Sequence, residues 1–269
     1  MKNETLPIES ISDGISVNSL FDRRMAETIL GAYDALSPYS LGRTQRMTGW
    51  AGELGKELGF EKTFLDEIEI AAMMCDVGMW VLPPEIINKK GRLTLSEFKI
   101  VQKHPELSLR ALENVQLTDG IRKSILHSHE SFDGTGYPAG LKGDDIPPGA
   151  QIVNVCATLF ALTSKRPFRD PVAPGAAFQI IRSEERKQFH PDIVEACGHL
   201  MERGVIKSIL AQKTIDPFQI IRRELAIEPE IEREQKKYIS RKLTTDDRSG
   251  DSEEDALNSI RKKIGDQST

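Results

Sequence analysis

Between residues 131 and 149 the chain reads SFDGTGYPAGLKGDDIPPG, the stretch whose composition is best suited to meeting a ligand. Gly134 and Gly136 permit positive φ and tight backbone turns. Tyr137, followed by Pro138, carries a ring that could stack on a nucleobase and a hydroxyl that could hydrogen-bond a phosphate. Lys142, and further along Arg166 and Arg169, add cations for phosphate, the arginines through a bidentate fork. A connection this long inside a folded domain invites a functional reading. The plainer reading is a Gly/Pro loop with one tyrosine that closes over the core. Its glycines do not follow a strand, which counts against a dinucleotide-phosphate loop. The three cysteines, Cys75, Cys156 and Cys197, are odd in number and widely spaced. They read as reduced thiols rather than a disulfide frame.

The elements that must position these groups are helical. Leu65, Ile68, Ala72 and Cys75 recur at helical spacing and predict one buried stripe. Thr63-Phe64-Leu65-Asp66 ahead of it fits a capping box. Thr94 to Glu97 repeats that pattern and is followed by Leu95, Phe98, Val101 and then His104. Pro147-Pro148 suits a helix entry, and Ile152, Val155, Leu159 and Leu162 mark another buried face. Alternating strand patterns are nearly absent, so the expected fold class is all-α. The expected organisation is a polar leader over 1–22, a helical domain over 23–205, a charged helical extension over 206–243, and a flexible linker with a short terminal amphipathic helix over 244–269. Leu257, Ile260 and Ile264 share one face of that last helix, a surface suited to a protein partner.

Composition narrows the function class. Hydrophobic residues make up 39% of 269, enough for a core, and the formal charge of −5 argues against a partner that is a nucleic-acid polymer. MKNETLPIES lacks the basic-then-apolar pattern of a secretory signal, and no run reaches the about 18 apolar residues of a spanning helix. The expectation is a cytoplasmic protein without membrane insertion.

Three segments, AAMMCDVGMWVLPPEIINKKGRL, HPELSLRAL and HSHESFDGTGYPAGLKGDDIPPGAQIVNVCATLFALTSKRPFR, resemble the HD-GYP family of bacterial metal-dependent phosphohydrolases. The resemblance runs from roughly residue 40 to 200. It implies an HD-domain helical bundle with the GYP extension, and activity on cyclic di-GMP through two or three metal ions held by histidines and carboxylates. Several of the implied ligand positions depart from that pattern. Arg43 stands where the first histidine is expected, and a guanidinium has no lone pair to offer. The His-Asp pair is Cys75-Asp76, the first of the later His-His pair is Ser128, and the final aspartate is Ala157. Asp76, His104 and His129 remain.

Two readings of this remnant stay open. Asp76, His104 and His129 form a two-histidine, one-carboxylate site for a single iron, manganese or zinc ion, with Cys75 joining if its thiolate faces inward; or the histidines are simply buried and hydrogen-bonded, and no cofactor is bound. Likewise Arg43 either reaches Asp76 and replaces a missing cation, or points to solvent. The expected function is an inactive or strongly impaired HD-GYP signalling module that meets a protein partner through the GYP loop or the C-terminal tail, with cyclic di-GMP as a candidate ligand at Tyr137, Lys142, Arg166 and Arg169. The alternative is an active cyclic di-GMP phosphodiesterase with a reduced metal site.

Overall fold

The computed structural model describes residues 42–89, 91–164 and 170–212. The leader, Arg166, Arg169, residues 213–243 of the charged extension and the linker and terminal helix over 244–269 lie outside the described residues. Ten α-helices follow in order among them: α1 Arg43–Glu57, α2 Lys62–Met74, α3 Pro84–Ile87, α4 Leu95–Val101, α5 His104–Ala111, α6 Asp119–Leu126, α7 Pro148–Thr163, α8 Pro174–Ser183, α9 Pro191–Glu202 and α10 Val205–Ala211. No strand is present among the described residues, as the periodicity predicts.

The bundle is organised around α7. Ile152, Val153, Val155, Cys156, Leu159 and Phe160 are all fully buried, so this helix is apolar around most of its circumference. Such a helix is stable only when covered on every side. α1, α2, α6, α8 and α9 supply that cover. Pro148 opens α7 at its first position, where the missing N–H costs nothing. Of the expected face, Ile152, Val155 and Leu159 are buried and Leu162 is half-buried. The α2 stripe of Leu65, Ile68, Ala72 and Cys75 is likewise buried.

One local expectation is corrected. α2 starts at Lys62 with Glu61 at its N-cap and no side-chain cap, so Thr63 lies inside the helix and caps nothing. The Asp66 carboxylate instead meets the Lys62 ammonium one turn back. At α4 the capping box forms, with Glu97 N–H donating to Thr94 Oγ1 at 3.2 Å and Thr94 N–H donating to Glu97 Oε2 at 2.6 Å. Its apolar stripe, however, is not covered. Leu95 is 85% and Phe98 44% exposed, Val101 is half-buried, and α4 buries no residue at all.

Candidate functional site

Asp76 follows the C-terminal end of α2, and Arg43 is the first residue of α1. A carboxylate beyond a helix C-terminus and a cation at an N-terminus each face an unfavourable macrodipole. Each therefore gains from the other. Arg43 Nη1 donates to Asp76 Oδ2 at 2.6 Å, with the two side chains 11% and 29% exposed. Burial alone would raise the Asp76 pKa. The charge and hydrogen bond of Arg43 outweigh it, with His104 and then His129 adding, and hold the carboxyl well below its usual range.

His104 opens α5. Its Nδ1 lies 2.8 Å from the Val101 carbonyl oxygen, which can only accept, so the ring proton belongs on Nδ1. That assignment leaves Nε2 with a free lone pair in the neutral ring. Nε2 is buried, has no hydrogen-bond partner, and sits 3.7 Å from Asp76 Oδ1. A histidine with one nitrogen anchored on a carbonyl and the other bare is arranged as a metal ligand is.

His129 comes from the turn after α6. Its ring stands edge-on to His104, centroids 4.7 Å apart, and is stacked on Tyr137 at 5.1 Å and 1°. The Tyr137 N–H donates to the His129 carbonyl at 3.1 Å, which ties the loop to the histidine. Burial lowers the His129 pKa to about 4, with help from the neighbouring His104 and Arg43 and partial opposition from Asp76. The imidazole is thus neutral near pH 7. Burial and Asp76 push the Tyr137 phenol up, so it stays protonated and can only act as a neutral hydroxyl.

Donor atoms of Asp76, His104 and His129 all lie within 4.8 Å of one another. Two imidazole nitrogens and one carboxylate oxygen fit a single transition-metal ion. A second ion finds no such set among the described residues. Arg43 occupies one oxygen of the carboxylate, Ala157 presents a buried methyl group, and the Ser128 hydroxyl donates to the Ile125 carbonyl at 2.9 Å. Cys75, considered as a fourth donor, is not brought in. Its thiol points back along its own helix towards the Ala72 carbonyl at 3.5 Å, and burial raises its pKa.

The distance between Asp76 and His104 is fixed by backbone packing. Gly78 N–H donates to Ser108 Oγ at 2.8 Å, and that hydroxyl donates to the Cys75 carbonyl at 2.7 Å. A Cβ at Gly78 would stand 2.1 Å from the His104 carbonyl oxygen, so only glycine permits this approach. The turn bearing Asp76 is thereby joined to the helix bearing His104.

The GYP loop is held by a residue that sequence reasoning passed over. Glu130 is buried, its Oε1 accepts from Ala139 N–H at 2.8 Å and its Oε2 from Leu141 N–H at 3.1 Å. His127 Nδ1 stands 3.3 Å from Oε1, so this histidine faces Glu130 and belongs to the loop anchor. Asn154 of α7 donates to the Glu130 carbonyl at 2.6 Å. Gly134 adopts φ 85°, the left-handed region, and a Cβ on Gly136 would stand 2.2 Å from Ser131 N. Pro138 is exposed after Tyr137. Lys142 is exposed on the loop and makes no side-chain hydrogen bond or ion pair with the three donors. The signal for Glu130 was its place between His129 and a glycine-rich run.

Among the described residues no helix is long and apolar enough to cross a membrane. Residues 34–193, more than half the chain, match the family model described as HD domain. A cyclic di-GMP phosphodiesterase of Thermotoga maritima is 36% identical over 175 residues, covering 62% of this chain and 47% of that protein. The cyclic di-GMP phosphodiesterase response regulator RpfG of Xanthomonas campestris pv. campestris is 32% identical over 171 residues, covering 62% and 44%. A 3'3'-cGAMP-specific phosphodiesterase of Vibrio cholerae is 28% identical over 197 residues, covering 72% and 38%. The chain therefore spans less than half the length of these curated relatives. Among solved structures, a cyclic GMP-AMP specific phosphodiesterase of V. cholerae superposes with TM-score 0.54 at 16% identity, over 70% of this chain and 50% of that one. An HDGYP protein of Bdellovibrio bacteriovorus does so with TM-score 0.54 at 15% identity, over 70% and 65%. Both share the all-α fold. With the sequence match over residues 34–193, the chain belongs to the HD domain family.

Proposed function

We propose that this chain is a signalling module that recognises a cyclic purine dinucleotide at the Asp76–His104–His129 group and hydrolyses it poorly or not at all. The observation that carries the reading is the 2.6 Å bond from Arg43 to Asp76. It commits one oxygen of the only carboxylate in the group to a fixed cation. The relatives named above act on cyclic di-GMP or 3'3'-cGAMP, which suggests the ligand class. A phosphodiester is an anion, and the Arg43 guanidinium offers it one charge and N–H donors. Bound ligand would then be reported to a protein partner through the GYP loop, which Glu130 and Tyr137 hold against the site, or through the C-terminal tail.

A second reading keeps hydrolysis, and the bare His104 Nε2 favours it. Asp76 Oδ1, His104 Nε2 and His129 would hold one iron, manganese or zinc ion. Such an ion supplies Lewis acidity and an acidified water at neutral pH. The chain's own part is to keep the His129 imidazole neutral and to hold the carboxylate ionised.

Metal analysis of protein purified without chelator, paired with chromatographic assay of cyclic di-GMP and 3'3'-cGAMP, decides between them. The first reading expects less than roughly a tenth of an equivalent of metal and no turnover after adding Mn²⁺ or Fe²⁺. Turnover on the order of 1 s⁻¹, within the ordinary range for enzymes, refutes it and supports the second.

A further inference from the structure

A row of four aromatic rings runs from the buried donors to the surface. His104 meets His129 at 4.7 Å, His129 stacks on Tyr137 at 5.1 Å, and Tyr137 meets Phe98 edge-to-face at 6.3 Å and 85°. Exposure rises along the row, from 3% at His104 to 44% at Phe98. Phe98 stands on α4, the helix that buries no residue, and Leu95 is its neighbour one turn earlier at 85% exposure. The helix is nonetheless firmly built, because both halves of its capping box form and Lys89 holds the Glu97 carboxylate. Two large apolar side chains are thus presented to solvent by an ordered helix at the end of a row that begins at the candidate site.

We propose that Phe98, backed by Leu95, is the platform on which one purine of a cyclic dinucleotide stacks while its phosphodiester lies at the Asp76–His104–His129 group. The inference rests on the cyclic-dinucleotide reading above. It extends that reading by assigning a base subsite to a helix outside the GYP loop. The chemistry fits on three counts. A purine has apolar faces and polar edges, so it covers Phe98 and Leu95 without burying its hydrogen-bonding groups. In a nucleotide the base is carried one sugar away from its phosphate, so a phosphodiester at the donors sends a base outwards along the ring row. Stacking is tolerant of base identity, so one platform serves guanine and adenine alike. Tyr137 has one face committed to His129 and is half-buried, which leaves Phe98 as the accessible ring.

The test is equilibrium binding of cyclic di-GMP and 3'3'-cGAMP to the full chain, by calorimetry in the presence of chelator, for wild type, Phe98→Ala, Phe98→Leu and Phe98→Trp. Inorganic phosphate is the base-free probe. Phe98→Ala is expected to weaken both dinucleotides by roughly 5- to 150-fold, the range for loss of one base–aromatic stack. Phe98→Leu should lie near the alanine variant and Phe98→Trp near wild type, with phosphate binding unchanged in all. Thermal melts establish that the variants are folded, which the exposure of Phe98 leads us to expect. Dinucleotide affinity within twofold of wild type for Phe98→Ala overturns the platform and leaves the ligand class standing. Equal losses for phosphate and dinucleotide also overturn it, since the ring would then act through the donors. Absence of any dinucleotide binding by wild type at millimolar concentration overturns the ligand class, and the platform with it.

Discussion

Replacing Arg43 by methionine should move two measurements in opposite directions. Methionine keeps an unbranched apolar stem of similar reach and removes the charge. The pair is largely shielded, with Arg43 11% and Asp76 29% exposed, and its 2.6 Å contact is a charge-assisted hydrogen bond. Such bonds contribute about 1.5–3 kcal/mol, and stranding a fully buried partner costs about 3–5 kcal/mol. Water reaches part of Asp76, so a loss of about 2–3 kcal/mol is expected for the metal-free variant. For a domain of this size that is a fall of roughly 4–12 °C in melting temperature, measured in chelator. The same substitution frees Asp76 Oδ2 and removes a cation from beside the donors. If the guanidinium competes with metal for the carboxylate at the strength of that one bond, affinity for Mn²⁺ or Zn²⁺ should rise about 10- to 150-fold. Titration calorimetry reads this directly, and adding the metal should restore the lost melting temperature. Asp76→Asn in the Arg43→Met background should abolish the gain. A folded Arg43→Met protein whose metal affinity is unchanged or weaker would refute the reasoning, because Arg43 would then be no competitor for Asp76.

Two further outcomes follow from the geometry. His129 has its pKa lowered from 6.5 to about 4, so between these values the unfolded chain takes up a proton that the native site refuses. Metal-free stability should therefore be complete above about pH 6.5 and decline towards pH 4 by up to about 3 kcal/mol, and His129→Gln should flatten that slope in denaturant titrations. Glu130→Ala strands the N–H groups of Ala139 and Leu141 and should cost about 2–5 kcal/mol. Amide exchange within residues 131–149 should accelerate more than in α7, and uniform acceleration would show that Glu130 does not act on the loop.

What could be read from the sequence was what depends on local spacing. The stripes on α2 and α7 recur at the helical period, and burial follows from that period once a partner surface exists. Thr94 was legible because its glutamate falls at the right step and nothing upstream competes. Thr63 was not, since Lys62 pairs with Asp66 and helical backbone begins before the threonine. The period at Leu95 and Phe98 predicts a helix, yet both residues are exposed, because periodicity reports an apolar face and not what covers it. At the site, the resemblance singled out Asp76, His104 and His129, whose candidate ligand atoms the fold brings within 4.8 Å of one another, while the Arg43–Asp76 contact joins positions 33 apart and follows from tertiary packing alone. Glu130 escaped notice for a related reason. A carboxylate beside a glycine-rich run looks solvated until the loop folds back and turns its amides inward.

The hydrogen bonds among Gly78, Ser108 and the Cys75 carbonyl have an evolutionary consequence. They fasten the Asp76 turn to the His104 helix with protein atoms alone, so the scaffold does not depend on a bound ion for cohesion. A chain with such a joint can vary the side chains around Asp76 and His104 while the bundle still folds. Selection can then act on what the site recognises, independently of whether it reacts.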